Sequence, residues 1–160
     1  GFNFWPGSPR YLDPAHASWI ATLPRPALRV GVFVDESPAR IAQLVAQLQL
    51  DIAQIHRGET PAADLAVWRA VSIDEAASSA TPILVDAPPL DNGQPGGTGR
   101  SYDWARVRGL SPRLIVAGGL DASNVRLAIQ QAQPWGVDSC SRLESAPGRK
   151  DHPKVRAFVQ

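Results

Sequence analysis

The stretch LRVGVFVDESPARIAQLVAQLQLDIAQIH, residues 28–56, decides the fold. Leu28 to Val34 is a β-branched, apolar run that reads as a buried strand. Ser37 then supplies an N-cap hydroxyl, and Pro38 suits the first helical position, where a missing N–H leaves no bond unmade. Ile41, Leu44, Val45 and Leu48 follow at helical spacing and place one apolar stripe along the helix. DIAQIH, from Asp51, is strand again. Strand, helix and strand in this order imply two parallel strands with the helix packed on the sheet.

The same alternation runs through the chain. Strands are expected at Gly1–Phe4, Leu28–Val34, Asp51–Ile55, Val67–Val71, Ile83–Asp86, Leu114–Ala117 and Gly136–Ser139. Helices are expected around Pro61 to Leu65, from Asp74, near Asp103, along DASNVRLAIQQAQ with Val125, Leu127 and Ile129 among its apolar positions, and along DHPKVRAFVQ. A doubly wound sheet would carry a Gly-x-Gly-x-x-Gly turn after its first strand, and none is present. A closed (βα)8 TIM barrel fits better, although such barrels usually need about 200 residues or more. The chain therefore reads as strands two to eight of a barrel whose first βα unit is missing or unrecorded, forming a single domain over residues 1–160. The lack of any methionine fits a trimmed or incompletely recorded chain.

Composition narrows the partners. Sixteen basic and fifteen acidic residues are interspersed, for a net charge of +1, which argues against nucleic acid or an acidic membrane. One cysteine, Cys140, excludes an internal disulfide, and three separated histidines offer no zinc spacing. No run reaches the roughly 18 apolar residues of a membrane span. The expectation is a cytoplasmic enzyme without metal or cofactor, acting on a small molecule, as a monomer or homodimer.

In a barrel of this kind the active site lies at the carboxyl ends of the strands, and a phosphate site forms after the last two. Gly118 and Gly119, in AGGLDASNV, let backbone amides approach an anion ahead of a helix N-terminus. Ser141 and Arg142, in SCSRLESAPGRKD, add a hydroxyl, amides and a charge. Asp86 closes a strand beside Ala87, Pro88 and Pro89, where partial desolvation raises a carboxyl pKa and suits it to general-acid work; a turn-capping role is the plainer alternative. Arg10, in SPRYL, has the two-pronged geometry for a carboxylate, and His56 is a further rim candidate. The glycine-rich GQPGGTGRSYDW, residues 93–104, reads as a lid over substrate. Cys140 reads as a small buried hydrophobe rather than a nucleophile.

Taken together, GFNFWPGSPRYL, RVGVFVDE, QIH, ILVDA, GGTGRSYDW, VAGGLDASNVRLAI, WGVDSCSRLESAPGRKD and KVRAFV resemble the phosphoribosylanthranilate isomerases of tryptophan biosynthesis, over nearly the whole chain. The resemblance implies a cofactor-free Amadori rearrangement of N-(5-phosphoribosyl)anthranilate to 1-(2-carboxyphenylamino)-1-deoxyribulose 5-phosphate. It implies that Asp86 is the general acid at the ribose ring oxygen and that Arg10 binds the anthranilate carboxylate. It further implies that Gly118, Gly119, Ser141 and Arg142 hold the phosphate; His56 stays a substrate-binding candidate from its rim position alone.

Three departures from the family pattern accompany the match. The family's base is a cysteine in a Lys-x-Cys-Gly segment of the first strand, and no such segment occurs in these residues, so they supply the acid without the base and are expected to be nearly inactive alone. Arg57 intervenes between His56 and Gly58, and Arg142 stands where the family has glycine, either adding charge to the phosphate site or straining the backbone. Two other readings use the same residues. One is a related sugar isomerase of histidine biosynthesis acting on a bisphosphorylated substrate; the other is an inactive barrel remnant that only binds.

Overall fold

The computed structural model describes residues 1–61, 64–88 and 101–160. Seven strands, β1 (Phe2–Asn3), β2 (Val30–Val34), β3 (Ile52–His56), β4 (Val67–Ser72), β5 (Ile83–Asp86), β6 (Leu114–Val116) and β7 (Gly136–Val137), join one sheet in chain order. The pairs β1–β2, β2–β3, β5–β6 and β6–β7 are parallel. A doubly wound sheet reverses its strand order midway; order that never reverses is the winding of a barrel sheet. An antiparallel pair, β8 (Glu144–Ala146) and β9 (Arg149–Lys150), stands apart from this sheet.

The chain divides into two compact units, Gly1–Arg69 and Ala70–Gln160, and β4 straddles the division. In the first unit, α1 (Pro38–Leu48) begins at Ser37, whose Oγ accepts from the Arg40 N–H at 3.3 Å. The helix ends at Gln49 in a left-handed conformation, with the Leu50 N–H bonded to the Val45 carbonyl, so its last carbonyls are satisfied as the helix stops. Ile41, Leu44, Val45 and Leu48 are all buried, in a core with Phe4, Ile20, Phe33 and Ile55. Both faces of β2 and β3 are largely covered, as helix-flanked parallel strands require.

The second unit has its own core, built from Ile83, Val85, Trp104, Val107, Leu114, Val116 and Leu120. Here α2 (Val125–Ala132) turns Ala128 and Ala132 inward, while Leu127 and Ile129, two of its larger apolar side chains, are exposed. Two residues four apart share a helix face, and the two alanines, not the larger side chains, occupy the covered one. A third helix, α3 (His152–Val159), is capped by Asp151, which accepts from the Lys154 N–H.

Some expectations need correction. No helix starts at Asp74; Ser72 spends its N–H and hydroxyl on the Glu75 carboxylate, and the chain turns there instead. The helix near Asp103 is a single 3-10 stretch, Trp104–Val107, because the Asp103 carboxylate caps Ala105 but Gly109 follows within a turn at φ +77°. The helix expected around Pro61 to Leu65 falls partly outside the described residues, and Pro61, Asp64 and Leu65 lie in no helix. Most of the lid expectation, residues 93–104, likewise lies outside them. Among the described residues no helix is long and apolar enough to cross a membrane.

Candidate active site

Asp86 is the last residue of β5. Its Oδ1 accepts from the Ala87 N–H at 2.7 Å, yet burial outweighs that bond and pushes the carboxyl up to about 6, with repulsion from Asp138 adding to the rise. Tyr102 completes this wall by donating its hydroxyl to the Val85 carbonyl at 3.0 Å; burial, then the Asp86 charge, raises the phenol further from ionisation. Asp138 follows β7, and the protein packed around it raises its carboxyl too. The sequence reading passed over Asp138, although its place just after a strand matches the rule that singled out Asp86.

Gly118 fits against this acid. Its φ is +86°, and a Cβ there would lie 2.7 Å from the Ala87 nitrogen and 3.0 Å from Asp86 Oδ1. Only glycine lets β6 end so close to the Asp86 turn. Gly119, at φ +60°, continues the turn, and its carbonyl accepts from Asn124 Nδ2 at 2.9 Å. Asn124 Oδ1 also takes the Asp121 N–H, which is why this residue leads α2 without capping it.

The loops after β6 and β7 are tied together. Ser139 donates its hydroxyl to the Leu120 carbonyl, and Arg142 Nη1 lies 3.3 Å from Asp121 Oδ2. The Ser123 hydroxyl bonded to Asp121 is the chief reason that its carboxyl is held below the usual range. Ser141–Leu143 forms one 3-10 turn, and Arg142 is not among the residues with positive φ, so its replacement of glycine costs no backbone strain. Cys140 departs from its expected role as a buried hydrophobe: it is half-buried, with Lys150 Nζ 3.3 Å from its sulfur and Glu144 Oε1 at 3.5 Å.

The first unit holds the other two candidates. Arg10 is half-buried in a turn held by the Tyr11 N–H to the Ser8 carbonyl and the Arg10 N–H to Ser8 Oγ, both at 3.1 Å. The turn is anchored to β1 by the Leu12 N–H bonded to the Asn3 carbonyl. His56 ends β3, and burial, then the charges of Arg57 and Arg69, lowers its pKa to about 4. Its Nε2 lies 3.0 Å from Gln54 Nε2, which can only donate, so the neutral ring carries its proton on Nδ1. Arg57 occupies the left-handed region at φ +58° and pairs with Asp35 at 2.9 Å. A residue with a Cβ thus takes a conformation that glycine adopts freely.

Comparison with known proteins identifies the family. The family model described as N-(5'phosphoribosyl)anthranilate (PRA) isomerase matches residues 1–160. The N-(5'-phosphoribosyl)anthranilate isomerase of Solibacter usitatus (strain Ellin6076) is 46% identical over 171 residues, covering 99% of this chain and 83% of the relative. That of Magnetococcus marinus is 41% identical, covering 99% and 81%. The crystal structure of phosphoribosyl anthranilate isomerase from Thermotoga maritima superposes with a TM-score of 0.83 at 34% identity, covering 99% of this chain and 84% of that one. A phosphoribosyl anthranilate isomerase in complex with reduced 1-(o-carboxyphenylamino)-1-deoxyribulose 5-phosphate gives 0.79 at 32% identity, with the same coverage. The chain belongs to the N-(5'-phosphoribosyl)anthranilate isomerase family.

Proposed function

We propose that this chain carries out the family's Amadori rearrangement, turning N-(5-phosphoribosyl)anthranilate into 1-(2-carboxyphenylamino)-1-deoxyribulose 5-phosphate in tryptophan biosynthesis. The observation that carries the reading is Asp86, a carboxyl raised to about 6 by burial at a strand end, where a proton donor for near-neutral chemistry is needed. Asp86 gives its proton to the ribose ring oxygen, the C1–O bond breaks, and the anthranilate nitrogen takes up the positive charge as a Schiff base. Removal of the C2 proton leaves an enolamine, which tautomerises to the ketone. The family pattern assigns that removal to a cysteine in a Lys-x-Cys-Gly segment that these 160 residues do not contain.

The remaining assignments follow from chemistry. Arg10 pairs with the anthranilate carboxylate, and neutral His56 donates a hydrogen bond from Nδ1 without adding charge. Gly119, Ser141 and Arg142 receive the phosphate on the two tied loops, while Gly118 contributes by letting those loops pack against the acid. The seven strands correspond to strands two to eight of an eight-stranded barrel, and residues 1–160 act as one catalytic domain in the cytoplasm, as a monomer or homodimer. The order of the sheet and the TM-score of 0.83 to the Thermotoga maritima enzyme support that correspondence.

The test is turnover of N-(5-phosphoribosyl)anthranilate by these residues joined to a first strand–helix unit that carries the Lys-x-Cys-Gly cysteine, with and without Arg10→Ala. The variant loses roughly 2–4 kcal/mol of substrate binding, in the range for a charged hydrogen-bonding partner. An unchanged KM and kcat would remove Arg10 from the site. Preference for a bisphosphorylated substrate would move the chain to the histidine-pathway reaction.

A further inference from the structure

We propose that Lys150 is a positioning residue for the loop Cys140–Arg142, fixing the peptide between Cys140 and Ser141 so that the Ser141 amide stays available to the substrate's phosphate. This rests on the assignment of that loop to phosphate made above.

Lys150 Nζ lies 3.0 Å from the Cys140 carbonyl oxygen, 3.0 Å from Glu144 Oε1 and 3.3 Å from Cys140 Sγ. An ammonium has three protons, and these three acceptors match them in number. The Glu144 side chain is only 4% exposed, so its charge needs a close partner, and the register Glu144↔Lys150 of the β8–β9 pair brings one. The turn is held beyond this contact as well. The Asp151 N–H donates to the Leu143 carbonyl at 2.9 Å, and Lys154 Nζ donates to the Glu144 carbonyl at 3.0 Å.

The planar trans peptide gives this contact its consequence. In such a unit the carbonyl oxygen and the following N–H point in opposite directions. Lys150 holds the Cys140 carbonyl toward the hairpin and thereby directs the Ser141 N–H away from it. Glu144 neutralises the ammonium, so Lys150 acts on phosphate through backbone geometry rather than net charge. Arg142, paired with Asp121, is the charged group of the same loop.

Lys150→Met alone would strand the buried Glu144 carboxylate, so the informative variant is Lys150→Met combined with Glu144→Gln, with Lys150→Arg as the conservative control. Inorganic phosphate binding is measured by calorimetry, and KM and kcat are measured with substrate. The double variant is expected to bind phosphate roughly tenfold more weakly, the scale of one charge-assisted contact, and to raise KM more than it lowers kcat. Lys150→Arg should recover most of the phosphate affinity. A folded double variant that binds phosphate like the parent would overturn the role of Lys150 and leave the loop assignment standing. A parent protein that binds no phosphate would overturn the loop assignment itself.

Discussion

Asp86 and His56 stand in corresponding places, each the last residue of a parallel strand, and burial is the largest cause of the pKa shift in both. The shifts run in opposite directions because burial disfavours whichever form is charged. Asp86 is pushed up to about 6 and His56 down to about 4. Charged neighbours reinforce the direction, a carboxylate (Asp138) near the acid and two arginines near the histidine, while the Ala87 N–H opposes it at Asp86. Asp86 can give up a proton near neutral pH, whereas His56 stays an uncharged donor throughout. One strand end is suited to proton transfer and the other to recognition.

The most direct way to break this contrast is Asp86→Asn. In the protein completed with the first-strand cysteine, removing the acid should lower turnover about 10²–10⁴-fold, the usual contribution of a positioned acid, while His56→Gln should act mainly on KM. Steady-state kinetics on both variants decides it, and equal losses in kcat would erase the distinction. Gly118→Ala attacks the same acid through the backbone. A methyl 2.7 Å from the Ala87 nitrogen at φ +86° should cost about 1–3 kcal/mol of stability, measured as a fall in denaturant midpoint, and should reduce turnover by displacing Asp86.

The opposed shifts also make a prediction about stability against pH. Asp86 in the fold titrates above its unfolded value of 3.8, so its contribution is complete below pH 3.8 and disappears as pH rises through about 6. His56 titrates below its unfolded value of 6.5, so its contribution is complete above pH 6.5 and disappears as pH falls through about 4. Between about pH 4 and 6 the two slopes oppose each other. Asp86→Asn should unmask a stability that rises by up to about 1.4 kcal/mol per pH unit across that window, and His56→Gln should unmask one that falls. Denaturant unfolding at several pH values reads both, and parallel curves for all three proteins would refute the opposition.

The smallest expected effect concerns the neighbours. Arg57→Gly should raise the His56 pKa by only a few tenths of a unit, followed by NMR, because burial is the larger cause and the arginine is half exposed to screening solvent. It should also relieve backbone strain by up to about 1 kcal/mol, offset slightly by loss of the exposed pair with Asp35. A return of His56 to its ordinary value would show that charge, not burial, sets its state.

Local chemistry made much of this protein legible from its residues alone. The alternation of strand and helix, the Ser37 cap with Pro38, the buried stripe of α1 and the strand-end position of Asp86 all follow from patterns within a dozen residues. The raised carboxyl of Asp86 was expected from its apolar neighbours, and the family from motifs spread along the chain. Tertiary structure decided the rest, because the deciding groups lie far apart in sequence or depend on backbone angles that composition does not encode. Gly118 is required by the approach of Ala87 and Asp86, some thirty residues earlier. Arg142 is held by Asp121, Asp138 acts on Asp86 across the unit, and Leu127 and Ile129 face solvent because the alanines of α2 face the core. Lys150 reaches Cys140 only through a hairpin that no periodic pattern announces. Periodicity records which faces a segment can bury, whereas burial, ion pairing and pKa depend on what the folded chain brings to those faces.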